Sequence, residues 1–496
     1  MVCENREVEL KFDIDPERLD ALVTYLSPGD EPVARNLKSI YFDTPDQSLR
    51  KAGFTLRVRK ERRRWTQTLK SSAAPSGTGQ REWEAPVKGG APDADPLRAT
   101  PVAEILKGLA LEPLFTVSVE RRSVTLSEAG STVEASLDKG EVTRAGRSVA
   151  FDELELELKS GDRAMLFAFA GKLRRAFALR PGFNTEADRG FVLMDKKGPP
   201  GRRFRAPALR LGMTADVAFK VIAVAALEQI AGNAEEFRER PDGEVIHQMR
   251  VGARRLRSTL STFKSIVSDR RIDGVKAGLK WLLGELDSAR NLDVFLSGAF
   301  ARASRARLDK EDLSALGERL RMARKAAYAK ARTVAEGDRF SALLFDILTW
   351  IEVGPWTEAG GKTTALRNAL IGEFAPKALE AASLKAKKRA RRFDHLSRET
   401  RHQLRIRIKT LRYIADVFGD LFTAHPKRSR RFVRRIKALA NCLGELNDIA
   451  TGEDLMADGP KLKRMTDRQA SREKQLIDSA GDAVAAFGKT KRFWPK

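Results

Sequence analysis

Near the start of the chain, Glu7-Val8-Glu9-Leu10-Lys11 sets two carboxylates and an ammonium at alternate positions. On a β-strand successive side chains point to opposite faces, so Glu7, Glu9 and Lys11 share one surface and Val8 and Leu10 the other. The two glutamate Cα atoms then stand about 7 Å apart. Their carboxylates reach one hard cation or two adjacent ones, and Lys11 is placed for an anion that such cations hold. Glu153-Leu154-Glu155-Leu156-Glu157-Leu158 repeats the pattern, with three carboxylates on one face and three leucines on the other. Elsewhere Arg57 and Arg59 share a face, Lys70 joins Thr68, Glu82 joins Glu84, and Asp138 joins Glu134 and Ser136. A sheet with one face in water accounts for any one of these strands. It does not account for their separation into acidic and basic ones. If the sheet closes into a barrel with its polar faces inward, Glu7, Glu9, Glu153, Glu155 and Glu157 form an acidic wall, and Lys11, Arg57, Arg59 and Lys70 a basic one. Such a channel suits Mg2+ or Mn2+ on its carboxylates and a polyphosphate on its Arg and Lys.

The elements that would carry these residues are legible in order. Asp15-Pro16 reads as an N-cap with proline at the first helical position, leading into a helix with Leu19, Leu22, Val23 and Leu26 on one face. Strands are predicted at 37–42, 54–59, 65–70, 81–87, 114–126, 132–138, 141–144 and 149–159, with a Ser/Ala/Pro/Gly loop over 71–79. Residues 196–208, rich in Gly, Pro and Arg, read as a linker, and everything beyond is helical, dominated by Ala, Leu, Arg and Lys. We therefore expect an α+β first domain over 1–197, a linker at 198–208 and an all-α domain over 209–496.

Charge separates the halves as well. Residues 1–200 hold 32 Lys+Arg against 31 Asp+Glu, leaving 60 against 36 for residues 201–496. A surplus of that size implies a polyanionic partner and says nothing of the fold. The two cysteines, Cys3 and Cys442, have neither disulfide nor zinc-ligand spacing. No run approaches eighteen apolar residues and the first residues lack an apolar signal core, so no membrane association and a cytoplasmic location are expected. All four histidines lie beyond residue 240, which confines chemistry in the first half to carboxylates, Lys, Arg, Tyr or a metal.

Tyr41-Phe42-Asp43-Thr44, Leu56-Arg57-Val58-Arg59, Leu69-Lys70, Arg81-Glu82-Trp83-Glu84 and Leu137-Asp138-x-Gly140, with the two glutamate strands, resemble in order the CYTH family of triphosphate tunnel metalloenzymes. The resemblance covers about 1–195. It implies an eight-stranded antiparallel tunnel that binds triphosphate and a divalent metal. The metal would lie on the Glu7/Glu9 and Glu153/Glu155 pairs, with Glu82, Asp138 and Glu157 as further acidic candidates. Arg57, Arg59, Lys70 and Arg121 would hold phosphate. Side-chain alternation, by contrast, groups Arg122 with Thr116, Ser118 and Glu120 on a polar face. Lys11 is either a phosphate ligand or a general base.

The helical half repeats itself. His247-Gln248-Met249-Arg250 returns 155 residues later as His402-Gln403-Leu404-Arg405, and Leu283-Gly284-Glu285-Leu286-Asp287 as Leu443-Gly444-Glu445-Leu446-Asn447, so a duplicated bundle of about four helices per copy is expected. In each copy four basic positions fall at spacings 0, 3, 7 and 10: His247, Arg250, Arg254 and Arg257, then His402, Arg405, Lys409 and Arg412. At 100° per residue each set occupies an arc of about 80°. These residues resemble the CHAD domain, a helical module associated with inorganic polyphosphate. Together the readings lead us to expect an inorganic triphosphatase with Mg2+ or Mn2+, working by metal-assisted attack of water, whose helical half binds polyphosphate and associates with polyphosphate granules. An adenylate cyclase or another nucleoside or thiamine triphosphatase would use the same tunnel, and a non-catalytic polyphosphate scaffold would use only the second half. No base-reading motif accompanies the tunnel residues, so tripolyphosphate is favoured over a nucleotide, and nucleic acid is disfavoured because the first stripe has no aromatic and the second only Tyr413 beside it.

Overall fold

The computed structural model describes residues 3–6, 8–27, 32–71, 81–194, 200–306, 310–457 and 462–495. The chain divides into two units, Met1–Pro200 with Asp338–Thr357, and Gly201–Gly337 with Glu358–Lys496. No helix among the described residues is long and apolar enough to cross a membrane.

The first unit is a single antiparallel sheet. Its strands are β1 (Cys3–Arg6), β2 (Glu9–Asp13), β3 (Val33–Asp43), β4 (Phe54–Glu61), β5 (Arg64–Ser71), β6 (Arg81–Val87), β7 (Glu112–Glu128), β8 (Ser131–Arg144), β9 (Arg147–Ser160) and β10 (Arg180–Gly182). They are ordered β1-β6-β5-β4-β3-β7-β8-β9-β2-β10. The long β7, β8 and β9 are joined by two-residue turns at Ala129-Gly130 and Ala145-Gly146, all four residues at positive φ. Those are the mirror-image turns whose twist matches that of flanking strands.

The expected closed eight-stranded barrel is corrected in one respect. Among the described residues the ladder has ten strands and its hydrogen bonding is not closed. The N-terminal segment instead divides: β1 pairs with β6, and β2, a few residues later, pairs with β9. Because Arg6 and Glu9 are three residues apart, a reach of about 10 Å, whereas a flat sheet would hold β1 and β2 about 38 Å apart, the two ends of the strip must curl towards each other.

Alternation then sorts the side chains. Leu10, Phe12, Leu56, Val58, Leu69, Leu137, Leu154 and Leu156 are buried on the outer face. Part of that face lies under the helix Arg163–Phe177 and under Asp338–Val353, a helix from the sequence region expected to belong to the all-α domain. Phe345 of that helix packs on Phe12 and Phe167, with ring centroids 5.8 and 6.4 Å away. Ser341 Oγ donates to the Leu179 carbonyl, and Arg163 pairs with the buried Glu352 at 2.7 Å. This segment sits with the sheet because its apolar stripe matches the leucine face.

On the inner face, one end of the sheet is apolar (Leu37, Tyr41, Phe115, Val117, Val119, Val142 and Phe151) and is filled by the helix Glu186–Met194. Phe191 meets Phe115 edge to face, and Gly190 lies so close to Phe115 that a Cβ there would come within 2.1 Å of the ring. The rest of the inner face is polar.

The second unit is helical and duplicated. Ala215–Glu239, Gly243–Thr262, Ile272–Glu285 with Asp287–Phe295, and Lys310–Glu336 form the first copy; Ile371–Ala390, Arg398–Phe418, Pro426–Met456 and Lys463–Gly488 form the second. Asp242 and Ser397 cap the two equivalent second helices, accepting from the Glu244 and Thr400 amides. Residues 201–208 of the expected linker are irregular but anchored: the Arg202 amide and carbonyl bond the Asn233 side chain.

Candidate active site and cationic cluster

Register places the charged residues of the first unit opposite one another. Lys11 faces Glu155 and Asp13 faces Glu153 across β2 and β9; Arg121 faces Asp138 across β7 and β8; Lys70 faces Glu82 across β5 and β6; Arg57 and Arg59 face Tyr41 and Ser39 across β4 and β3. Each is a direct cross-strand pair on the inner face.

Three carboxylates converge on one ammonium. Lys11 Nζ bonds Glu155 and lies 3.6 Å from Glu153 and 3.9 Å from Glu9. Burial alone would lower the Lys11 pKa, but Glu155, Glu9 and Glu153 outweigh it and raise it well above the ordinary lysine value. While they surround it Lys11 stays an ammonium, which favours the phosphate-ligand role over the general base. Arg121 grips Asp138 with both arms of its fork, Nε to Oδ1 at 2.7 Å and Nη2 to Oδ2 at 2.6 Å, and also bonds Glu155. Burial would raise the Glu155 carboxyl; Arg121 and Lys11 override it and hold it well below the usual range. Glu153 goes the other way, pushed up to about 7 by burial, with Lys11 and Arg189 only partly offsetting.

The basic wall stands within electrostatic range of the acidic one: Glu155 feels Lys70, and Arg57 feels Glu82. Lys70 pairs with Glu82. Arg57 has a buried Nε with no partner. Arg59 donates from Nε to Ser39 at 2.9 Å and from Nη2 to Glu186 at 3.0 Å.

Of the sequence-predicted residues, Glu9, Lys11, Glu153, Glu155, Arg121 and Asp138 meet in one cluster, with Arg57, Arg59, Lys70 and Glu82 opposite. Glu157 stands apart, bonded with Glu134 to Lys159. Glu7 lies outside the described residues, as does most of the 71–79 loop. Arg121 is the lumen residue; Arg122 and Glu120 pair on the outer face, so the polar face grouped by alternation is the solvent face.

Sequence reading missed Glu186, Arg189, Asp13 and Tyr41. Arg189 bonds Glu153 at 2.5 Å and Asp13 at 3.2 Å; Tyr41 donates to Glu186 at 2.7 Å. A signal existed. Thr185-x-x-Asp188 is a capping box, realised here by reciprocal bonds between the two residues, and it starts a helix whose positions 186 and 189 share a face.

Glu9, Glu153 and Glu155 offer hard oxygen donors to a cation, and the Lys11 ammonium now stands where they converge. As the side chains are placed, no three His, Cys, Asp or Glu among the described residues form a ready metal site. The donors fit such an ion once they turn from Lys11, Arg121 and Arg189.

In the second unit the two basic stripes face each other across the packed helices Gly243–Thr262 and Arg398–Phe418. His247 is surrounded by Arg290, Lys409, Arg254 and Arg250, and Lys409 by Arg405, Arg254 and Arg412. Burial and these cations push His247 down to about 3 and Lys409 down to about 7. Arg250 donates to the Leu283 carbonyl at 3.0 Å and pairs with Asp287. The Nε atoms of Arg250 and Arg405 are buried without a partner. Asp448 is the acidic neighbour of Arg405, Arg290 and Lys409. Arg257 and His402 are exposed, and His402 Nδ1 bonds Asn447 at 2.9 Å. Arg290 was not among the predicted residues. Such crowding of like charge is unfavourable until an anion joins it.

Residues 5–191 match the family model described as the CYTH domain, and residues 222–457 that described as the CHAD domain. An inorganic triphosphatase of Haemophilus influenzae is 30% identical over 197 residues, 39% of this chain and 56% of that protein. The chain thus spans about half the length of that curated relative. Among solved structures, the CHAD domain of Ricinus communis is 25% identical with a TM-score of 0.47, covering 60% of this chain and 99% of that one. A Hippeastrum protein described as an adenylyl cyclase with a dominant triphosphatase activity is 16% identical with a TM-score of 0.28, covering 39% of this chain and 98% of its own.

Proposed function

We propose, for a chain that is a CYTH domain followed by a CHAD domain, that the charged lumen hydrolyses inorganic triphosphate to pyrophosphate and phosphate and that the helical unit binds inorganic polyphosphate. One observation carries the first part: three carboxylates converge on a cation directly across from a wall of Arg and Lys. Glu9, Glu153 and Glu155, with Glu7 two residues before Glu9 in sequence, would hold Mg2+ or Mn2+. Such an ion supplies neutralisation of phosphate oxygens and a lowered pKa for bound water. Arg57, Arg59, Lys70 and Arg121 hold the phosphoryl oxygens in line, Asp138 orients the Arg121 fork and Glu82 orients Lys70. Water oxygen bonds the terminal phosphorus, the bridging P–O bond breaks, and pyrophosphate leaves with the electron pair and takes up the proton that the water gives up. Lys11 and Arg121 meet the charge on the phosphoryl group as it transfers.

For the helical unit, the supporting observation is the cluster of His247, Arg250, Arg254, Arg290, Arg405, Lys409 and Arg412 with two orphaned guanidinium donors. Point charges and guanidinium forks suit a chain of phosphates. The test is phosphate release from tripolyphosphate, ATP and thiamine triphosphate with Mg2+ or Mn2+. Tripolyphosphate should be turned over fastest. Full activity in excess EDTA, or none with any substrate, would overturn the reading.

A further inference from the structure

The helix Glu186–Met194 enters the lumen with a carboxylate aimed at the basic wall. Glu186 accepts from Tyr41 Oη at 2.7 Å and from Arg59 Nη2 at 3.0 and 3.2 Å, and it lies 3.6 Å from Arg57. Its side chain is 12% exposed. Among the described residues the other lumen carboxylates pair elsewhere: Glu9, Glu153 and Glu155 face Lys11, Asp138 faces Arg121, and Glu82, which reaches Arg57 only through space, faces Lys70. The capping box at Thr185 and Asp188 and the contact of Gly190 with Phe115 fix the helix, so the carboxylate is delivered by a packed element rather than by a wandering loop.

We propose that Glu186 is a specificity-determining residue: an internal anion that occupies the Arg57/Arg59 fork and that a phosphoryl group must displace. The proposal rests on the reading of the lumen as a triphosphate site and names what that site selects against. A tethered carboxylate competes at an effective concentration in the millimolar range or above. Phosphate and pyrophosphate, which engage only part of the wall, lose most of their affinity to this competition. Tripolyphosphate also reaches Lys70, Lys11 and Arg121; Glu186 bonds none of these and acts on Lys11 and Arg121 only through space, so it is displaced at a smaller relative cost. The same competition helps the carboxylate return and expel the pyrophosphate product.

Calorimetric titration of the full chain with pyrophosphate tests this, alongside steady-state kinetics on tripolyphosphate. Glu186→Gln keeps the shape and the Tyr41 contact while removing the charge. It should tighten pyrophosphate binding about tenfold or more, lower KM for tripolyphosphate by less, and lower kcat as product release slows. The gain should vanish when Arg59→Ala is added, which assigns it to the lumen rather than to the cationic helices. Glu186→Ala, tested in parallel, should tighten pyrophosphate in the same way. Unchanged or weaker pyrophosphate binding in both variants, with wild-type turnover intact, overturns the proposal. So does loss of tripolyphosphate binding in Glu186→Gln, which would put Glu186 among the substrate-holding groups. If wild-type binding of tripolyphosphate is itself indifferent to Arg59→Ala, the lumen reading fails instead.

Discussion

Polyphosphate binding by the helical unit should be accompanied by uptake of a proton, and Lys409 is where it goes. Free of ligand, Lys409 is pushed down to about 7 by burial and by Arg405, Arg254 and Arg412. Arginines do not give up their protons, so in this cluster lysine and histidine adjust. At pH 8 a group of pKa 7 is about nine-tenths neutral, while His247 is neutral whether at its present value or at an ordinary 6.5. Phosphate oxygens placed among these side chains restore the ammonium, so binding at pH 8 should take up roughly 0.9 proton. The sign follows: affinity should fall as pH rises, by about tenfold per unit above pH 8 until the bound-state pKa is reached. Calorimetry at pH 8 in buffers of differing ionisation enthalpy measures the uptake. Lys409→Arg, permanently charged, should bind with no uptake and a flat pH profile. The same depressed pKa acts on folding: between pH 7 and about 10.4 the unfolded chain holds more protons at this site, so the cost of burying Lys409 fades as pH rises through that window. Zero uptake in the wild type, or equal uptake in Lys409→Arg, would refute the assignment.

Glu155→Gln removes the carboxylate shared by Lys11 and Arg121 and should cut tripolyphosphate turnover roughly 10²-fold or more while leaving polyphosphate binding intact; wild-type turnover would exclude Glu155 from the site. Phe345→Ala opens the contact with Phe12 and Phe167 and should destabilise the first unit by about 3–5 kcal/mol, measured by denaturant unfolding; a fragment ending near residue 200 should be less stable for the same reason, and a fragment as stable as the full-length unit would refute that role for the helix. Long polyphosphate should displace single-stranded DNA of equal phosphate count from the helical unit at any fixed salt, because the stripe residues 247–257 include no aromatic for base stacking. Equal competition by the DNA would refute that preference.

The period-two alternation of Glu9-x-Lys11 and Glu153-x-Glu155, and of Arg57-x-Arg59, was enough to place these side chains on one face, because a strand leaves a residue only two directions. The 155-residue repeat likewise announced a duplicated helical unit, and spacing of 0, 3, 7 and 10 put its cations on one stripe, since a helix turns 100° per residue whatever surrounds it. Those regularities are local. What they could not convey was which elements meet. That β1 and β2 pair with opposite ends of the sheet, that Asp338–Val353 leaves its sequence neighbours to cover Phe12, and that Arg290 joins a cluster built by two distant helices all depend on contacts between residues far apart in the chain. Glu186 shows the limit best: its sequence context marks a helix start, but its partners Tyr41, Arg57 and Arg59 are more than a hundred residues away, and only the packing of Gly190 against Phe115 turns its carboxylate into the lumen. Sequence determined the faces and the charges they bear; tertiary structure decided which charge stands against which, because that depends on the apolar surfaces that close over one another and leave the polar groups to find partners where they are brought.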